Sequence, residues 1–427
     1  MHAAGCSRQG AAPAPPVPVV VISIDTLRPD HLGMYGYPKA TSPNLDRFAA
    51  EAVVFEQAIS TAPSTLPAHA SLFTSLVPDR HGASFARKVA LPAQVPTLAS
   101  ELSAAGWVTQ GIHNGGQLDE VFGIGAGFEV WREVQVPVFR RVVDRAVEWL
   151  DRRDHAEPFL LFLHTYEVHH PYQPKRWRLD LFDDADYDGP LPHRIAIPLL
   201  ERINSGELEI DERDLGRIVA AYDAGIHSMD EAFGRLMSAL RERELYHRAL
   251  IVVTSDHGEE FNEHGVVGWH AHSLYDELLR VPLLIKFPGS RWAGTRLRRQ
   301  VGLIDVAPTV LDVAGIDRPP TFEGSSLRAV LNDRSRTHRR WVVASRDDPG
   351  DQPLRAVRQQ SWKLIGDRLF HLPTDPAERV DRADEHSTTA QRLRLLLVDL
   401  DPVDATRKTP SLDETLSDRL RALGYLR

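Results

Sequence analysis

The sequence of 427 residues contains one cysteine, Cys6, so no internal disulfide can staple the fold and no cysteine-based zinc cluster can form. Stability has to come from a hydrophobic core. Nowhere does the chain approach the roughly 18 consecutive apolar residues that a membrane-spanning helix needs. Dense Lys/Arg blocks are absent too, and 50 basic against 59 acidic residues leave a formal charge of −9, which argues against a general grip on nucleic acid. Wholesale disorder and fibrous repeats are excluded by an ordinary balance of 42% hydrophobic and 26% charged residues. What remains is a folded body whose length fits two domains, or one large α/β domain with an appendage.

The amino-terminal stretch stands apart. Ala3-Ala4-Gly5-Cys6 resembles the end of a bacterial lipoprotein signal, although the apolar segment expected before it is missing. If the start lies upstream, Cys6 carries a lipid and the protein belongs in the periplasm or cell envelope; if Met1 is the true start, the protein is cytoplasmic. Any membrane contact is expected only through that lipid. The Ala- and Pro-rich segment that follows suits a tether or a disordered terminus, giving an expected division into residues 1–16, a main domain over 17–320 and a carboxyl-terminal subdomain over 321–427.

Short apolar, β-branched runs at 17–24, 158–163, 249–254 and 281–286 predict buried strands. Between them, apolar residues at three- and four-residue spacing predict helices over 43–52, 97–105, 139–152, 215–242 and 306–314. This alternation predicts an α/β fold with a mostly parallel sheet and helices on both faces. Ligands in such folds gather beyond the carboxyl ends of the strands, and two of the runs end there in carboxylates. One is Asp25; the other is Asp256, followed at once by His257. Either aspartate alone is as well explained by a turn or a helix cap. Together, Asp25, Asp256 and His257 offer an oxygen-rich set with one nitrogen, suited to a divalent cation such as calcium, magnesium, manganese or zinc.

A third element is Ser64-Thr-Leu-Pro-Ala-His69. Thr65 fits a helix N-cap with Pro67 in the first turn, which places a hydroxyl where backbone N–H groups and the helix dipole favour an anion. His69, one turn on, shares that face and can donate to a substrate oxygen. The plainer alternative is a cap and a half-buried histidine.

These residues, taken in order, resemble the sulfatase-like branch of the alkaline phosphatase superfamily. The resemblance runs from Ile24-Asp-Thr-Leu-Arg-Pro-Asp-His31 through Thr65-Leu-Pro-Ala-His69, His164-Thr-Tyr-Glu-Val-His-His-Pro-Tyr172, Tyr222-Asp-Ala-Gly-Ile-His227, Thr254-Ser-Asp-His-Gly-Glu259 and Ser273-Leu-Tyr-Asp-Glu277 to Leu420-Arg-Ala-Leu-Gly-Tyr425. It implies an alkaline phosphatase-like fold, with a large mixed sheet and a small α+β carboxyl-terminal subdomain carrying a strand pair around a turn at Gly366-Asp367. It also implies metal ligation by Asp25, Asp256 and His257, with Thr65 as nucleophile and further ligand.

Three departures matter. Sulfatases of the usual kind oxidise a Cys or Ser at the nucleophile position to formylglycine, and a threonine cannot enter that chemistry. Thr26 also stands where many relatives have another carboxylate, and His69 where they have arginine. The resemblance therefore implies a metal-dependent ester hydrolase forming a covalent intermediate on Thr65, with phosphate esters favoured over sulfate esters. His169 and His270 are the expected groups to protonate the leaving oxygen or bind the anion. The expected substrate is a small-molecule, glycan-linked or lipid-linked phosphate or sulfate ester. Transfer to an alcohol acceptor and a catalytically silent binding protein are the competing readings. One metal is expected, with a second possible at Asp223 and His227 together with His264 or His270. Asp223 as part of a packing helix is the alternative.

Overall fold

In the computed structural model the described residues are 17–153, 157–333, 341–347, 353–398, 400 and 410–426. Cys6 and the tether at 1–16 lie outside them. No described helix is long and apolar enough to cross a membrane.

The strands, in chain order, are β1 (Val19–Ile24), β2 (Val53–Ile59), β3 (Val108–His113), β4 (Val130–Glu133), β5 (Phe159–Thr165), β6 (Leu250–Thr254), β7 (Glu260–Phe261), β8 (Val267–Trp269), β9 (Arg280–Lys286), β10 (Arg296–Gly302), β11 (Val342–Arg346), β12 (Leu354–Gln359), β13 (Trp362–Ile365) and β14 (Arg368–His371). Eight form one sheet in the order β10-β2-β9-β6-β1-β5-β3-β4. Only β9 runs antiparallel to its neighbours, so the sheet is mixed but mostly parallel, as expected.

Strand β1 shows how this sequence builds two cores. Its side chains alternate, so Val20, Ile22 and Ile24 enter the apolar layer under helices Phe139–Arg152 and Glu212–Glu242, while Val19 and Val21 enter the layer under helices Thr65–Thr74 and Val306–Ala314. Both faces are covered, which is why the run is apolar without interruption. By the same alternation Ser23 and Asp25 fall on the face that carries helix Thr65–Thr74.

The four expected strands are β1, β5, β6 and β9, and helices Phe139–Arg152 and Val306–Ala314 have the expected bounds. Strands β2, β3, β4 and β10 were not expected. Residues 296–299 form part of edge strand β10, whose exposed side carries Arg296 and Arg298. The carboxyl-terminal antiparallel sheet β11-β12-β13-β14 includes the anticipated hairpin turning at 366–367. Helix Glu414–Ala422 leaves that sheet and returns to the main body, burying Leu416 and Leu420 in the core beneath helix Thr65–Thr74.

Candidate active site

The central strands bring the first ligands together. Asp25 follows β1 and Asp256 follows its parallel neighbour β6, so both carboxylates emerge at the same sheet edge. The Asp25 N–H donates to the Thr165 carbonyl at 3.0 Å, carrying the ladder one residue past the strand. The next residue turns sharply: Thr26 has φ 55°, a left-handed conformation costly for a β-branched side chain, and its buried hydroxyl has no partner. After His257 the chain presses against a neighbouring backbone. A Cβ on Gly258 would stand 1.9 Å from the Glu277 carbonyl oxygen, so only glycine fits this turn.

Helix Thr65–Thr74 points its amino end into this edge. Ser64, in extended conformation, is the N-cap and Thr65 the first helical residue, one position later than expected. Thr65 Oγ1 donates to Asp25 Oδ2 at 3.2 Å and lies 3.4 Å from His257 Nε2. The helix offers fewer N–H groups to an anion than the sequence suggests. Gln117 Oε1 takes the Leu66 N–H at 2.9 Å, Pro67 has none, and the Ala68 N–H bonds to the Ser64 carbonyl. Its dipole remains.

Asp25, Asp256 and His257 converge, all fully or almost fully buried. Asp25 Oδ1 and Asp256 Oδ2 have no hydrogen-bond partner. Burial, and then the neighbouring Asp256, push the Asp25 carboxyl well above the usual range. Two carboxylates buried face to face without compensating charge are a poor structural arrangement and a good cation site. The donor chemistry fits a hard divalent ion, which would be held by Asp25, Asp256 and His257 with the Thr65 hydroxyl beside them.

Around these lie residues of different rank. His164 Nε2 donates to Asp25 Oδ2 at 3.2 Å from the adjacent strand β5, and so fixes that carboxylate. His69 is fully buried. Its Nδ1 lies 2.8 Å from the Thr65 carbonyl and its Nε2 2.9 Å from Ser23 Oγ, so both ring nitrogens are engaged inside the protein. The expected donation from His69 to a substrate oxygen does not suit this placement.

His169 and His270 meet on the opposite side, with Nε2 atoms 2.9 Å apart. Burial pushes both well below the ordinary histidine range, helped by His170 for the first and His257 for the second. The sequence reading missed their neighbour Tyr425. Its hydroxyl stands 3.0 Å from Thr65 Oγ1 and 3.0 Å from His169 Nε2, carried there from 360 positions away by the returning carboxyl-terminal helix. The terminal Leu-Gly-Tyr motif was part of the resemblance, which was the available signal.

The second metal site suggested at Asp223 and His227 is not assembled. Asp223 accepts from His31 Nδ1 at 2.8 Å and Tyr37 Oη at 2.6 Å, while His227 Nδ1 pairs with Arg178 at 2.7 Å. His264 lies flat against Tyr275, 3.3 Å from Glu277 Oε1. Asp223 is therefore a buried anchor for the loop after Asp25. His81 has a similar structural place, between Ser71 Oγ and the Ala83 N–H.

The sequence profile of the family "Sulfatase" matches residues 18–316, well over half the chain and all of the elements that carry this site. The chain belongs to the sulfatase family. A second profile, "N-sulphoglucosamine sulphohydrolase, C-terminal", matches residues 263–396. Among curated relatives, an arylsulfatase of Clostridium perfringens is 26% identical, the match covering 89% of this chain and 93% of that protein. A choline-sulfatase of Rhizobium meliloti is 30% identical over 53% of this chain and 46% of its own length. Similar folds include a protein solved in complex with its substrate D-glucosamine-2-N,6-O-disulfate, at TM-score 0.74 and 20% identity, covering 90% of this chain and 97% of that one. Another is the phosphonate monoester hydrolase of Agrobacterium radiobacter, at TM-score 0.73 and 20% identity over 93% and 98%. As a member of this family, which is metal-dependent, the chain is a hydrolase of ester bonds.

Proposed function

We propose that this sulfatase-family hydrolase uses Thr65 as its nucleophile and prefers phosphate to sulfate esters. The observation that carries the reading is the position of Thr65 Oγ1: first residue of a buried helix, within 3.4 Å of Asp25, His257 and Tyr425. The preference for phosphate rests on the residue type, because position 65 is neither Cys nor Ser and the chain's one cysteine is at position 6.

A divalent cation held by Asp25, Asp256 and His257 would lower the pKa of an adjacent hydroxyl and polarise a substrate oxygen. Thr65 attacks phosphorus in line, forming an Oγ–P bond while the ester O–P bond breaks, and its proton passes to Asp25 Oδ2. His164, donating to the same oxygen, holds that carboxylate in place. His69 acts as a positioning residue that ties the first helical turn to β1 through Ser23.

The departing alkoxide needs a proton. Depressed basicity keeps His169 and His270 neutral near pH 7, and their Nδ1 atoms face backbone carbonyls, so neither fits the acid role. Tyr425 fits better. Burial, then the neighbouring Tyr166 and Asp25, hold its phenol well above the ordinary range, so it remains a donor until the leaving oxygen develops charge. Water then hydrolyses the threonyl ester.

Beside Thr65 opens a cleft of about 350 Å³ lined by Trp269, Tyr425, His270, Lys88 and Arg346. Aromatic walls with basic residues at the rim suit a sugar or another small body bearing an anionic ester. The test is turnover of aryl phosphate monoesters, diesters and aryl sulfates with added divalent metal by the wild type, Thr65→Ala and Ser64→Ala. Phosphoester turnover lost only in Thr65→Ala is the expected pattern. Loss in Ser64→Ala with retention in Thr65→Ala would reassign the nucleophile.

A further inference from the structure

Three imidazoles, His169, His170 and His270, form a cluster of their own beside the carboxylate site. All are at most 5% exposed, and each offers a ring nitrogen within 4.8 Å of the others. Their hydrogen bonds fix the tautomers. His169 Nδ1 donates to the His170 carbonyl, His270 Nδ1 to the Pro63 carbonyl at 3.2 Å, and His170 Nδ1 to Glu259 Oε1 at 2.6 Å. Carbonyls and carboxylates only accept, so each Nδ1 must carry the hydrogen and each neutral ring presents a bare Nε2 lone pair.

Those lone pairs have too little to receive. His169 Nε2 and His270 Nε2 stand 2.9 Å apart, closer than two bare acceptors tolerate, and the buried His170 Nε2 has no partner. The Tyr425 hydroxyl, with its single hydrogen, reaches His169 Nε2 or Thr65 Oγ1 but leaves the other two ring nitrogens unserved. A proton shared between His169 and His270 would still leave His170 Nε2 unmatched.

We propose that His169, His170 and His270 bind a second divalent cation of the borderline-soft class, zinc or cobalt, distinct from the hard-ion site of Asp25, Asp256 and His257. Three neutral imidazoles with an open fourth position are the ligand set that such ions take at catalytic sites. Glu259, fully buried, gripping His170 Nδ1 and itself receiving the Tyr172 hydroxyl, is the carboxylate that orients a metal-binding histidine from behind. The indole of Trp269 lies flat on the His170 ring, with centroids 4.7 Å apart, and restricts its rotation. The His257 and His270 rings are 4.4 Å apart, so the two sites adjoin and a phosphate or sulfate ester at Thr65 would meet a cation on either side.

The site goes beyond the Thr65 reading, because its test needs no turnover. Full-length protein stripped with a chelator and titrated with Co²⁺ alone should develop the visible absorption of a nitrogen-ligated ion, which added Zn²⁺ bleaches. His270→Ala and the double variant His169→Ala/His170→Ala should abolish that spectrum, while Asp25→Asn and Thr65→Ala keep it. Glu259→Gln should weaken Co²⁺ affinity about 10- to 100-fold. His270→Gln, which keeps volume and polarity, guards against collapse of the cluster and should also lose the spectrum while melting near the wild type. A spectrum unchanged in both His270 variants, or lost only in Asp25→Asn, would overturn the proposal, as would a stripped wild type that takes up no Co²⁺. Loss of turnover in Thr65→Ala bears only on the nucleophile.

Discussion

Two buried clusters in this molecule each hold a pair of carboxylates and differ in what balances them. Under the carboxyl-terminal sheet, Lys363 Nζ sits 2.7 Å from Asp276 Oδ1 and 2.9 Å from Glu378 Oε1, and Arg358 joins Asp276 at 3.2 Å. Arg358 also bonds Gln57 and Gln300 of the main sheet, so this cluster ties the subdomain to the body. At the sheet edge, Asp25 and Asp256 face each other, and among the described residues their side-chain partners are histidines and the Thr65 and Ser255 hydroxyls, with no Lys or Arg. Burial would raise both Asp25 and Asp276, but Arg358 and Lys363 override it and hold Asp276 below the usual carboxylate range, whereas Asp256 adds to the rise of Asp25. The first cluster brings its own countercharge. The second is completed only by something that binds, which is the physical signature separating a structural ion pair from a site.

The comparison breaks most visibly at Thr65. Thr65→Ala should lower kcat/KM for aryl phosphate by roughly 10³-fold or more, as expected for loss of a nucleophile. Lys363→Met should destabilise the fold by about 3–5 kcal/mol in urea unfolding, because it takes the paired cation from buried Glu378 and leaves Asp276 with Arg358 alone. Tyr425→Phe should lower kcat by about 100-fold and leave KM near its wild-type value, the pattern of a lost proton donor.

The subtlest contrast is in pH. A carboxyl whose folded pKa is raised binds its proton more tightly in the native state, so the stability it contributes is present at low pH and is lost as pH rises through the folded value. Metal-free wild type should therefore lose stability as pH climbs from about 4 upward, and Asp25→Asn should flatten part of that slope. Added divalent metal should reverse the loss at neutral pH in the wild type and not in Asp25→Asn. Melting curves across pH, with and without metal, read all of these.

Much of this was legible in the residues because the central strands are buried on both faces and end abruptly in carboxylates. Asp25, Asp256 and His257 follow from that pattern, and the long helices follow from their spacing. Strand β10 escaped because an edge strand with Arg296 and Arg298 exposed has no continuous apolar run. Strands β2, β3 and β4 carry polar residues such as Glu56, Gln57, Thr109, Gln110 and Arg132, which blur the same signal. The possible second site at Asp223 and His227 did not assemble because four-residue spacing shows which residues lie along one helix but not which neighbour each one meets. His69 was read from the same helical spacing, which could not foresee Ser23 behind it. Tyr425 illustrates the hardest case: its position depends on where the last helix docks, and no local pattern encodes that contact.

The claim that Thr65 forms the covalent intermediate has one direct test. Metal-loaded enzyme, mixed with an aryl phosphate and quenched in acid at the steady state, is digested and its peptides weighed and fragmented. The account predicts a phosphoryl group on the peptide spanning 64–69, located on Thr65 and absent from Thr65→Ala. Rapid turnover with no modified peptide at any quench time, or a phosphoryl group located on Ser64 or a histidine, would contradict it.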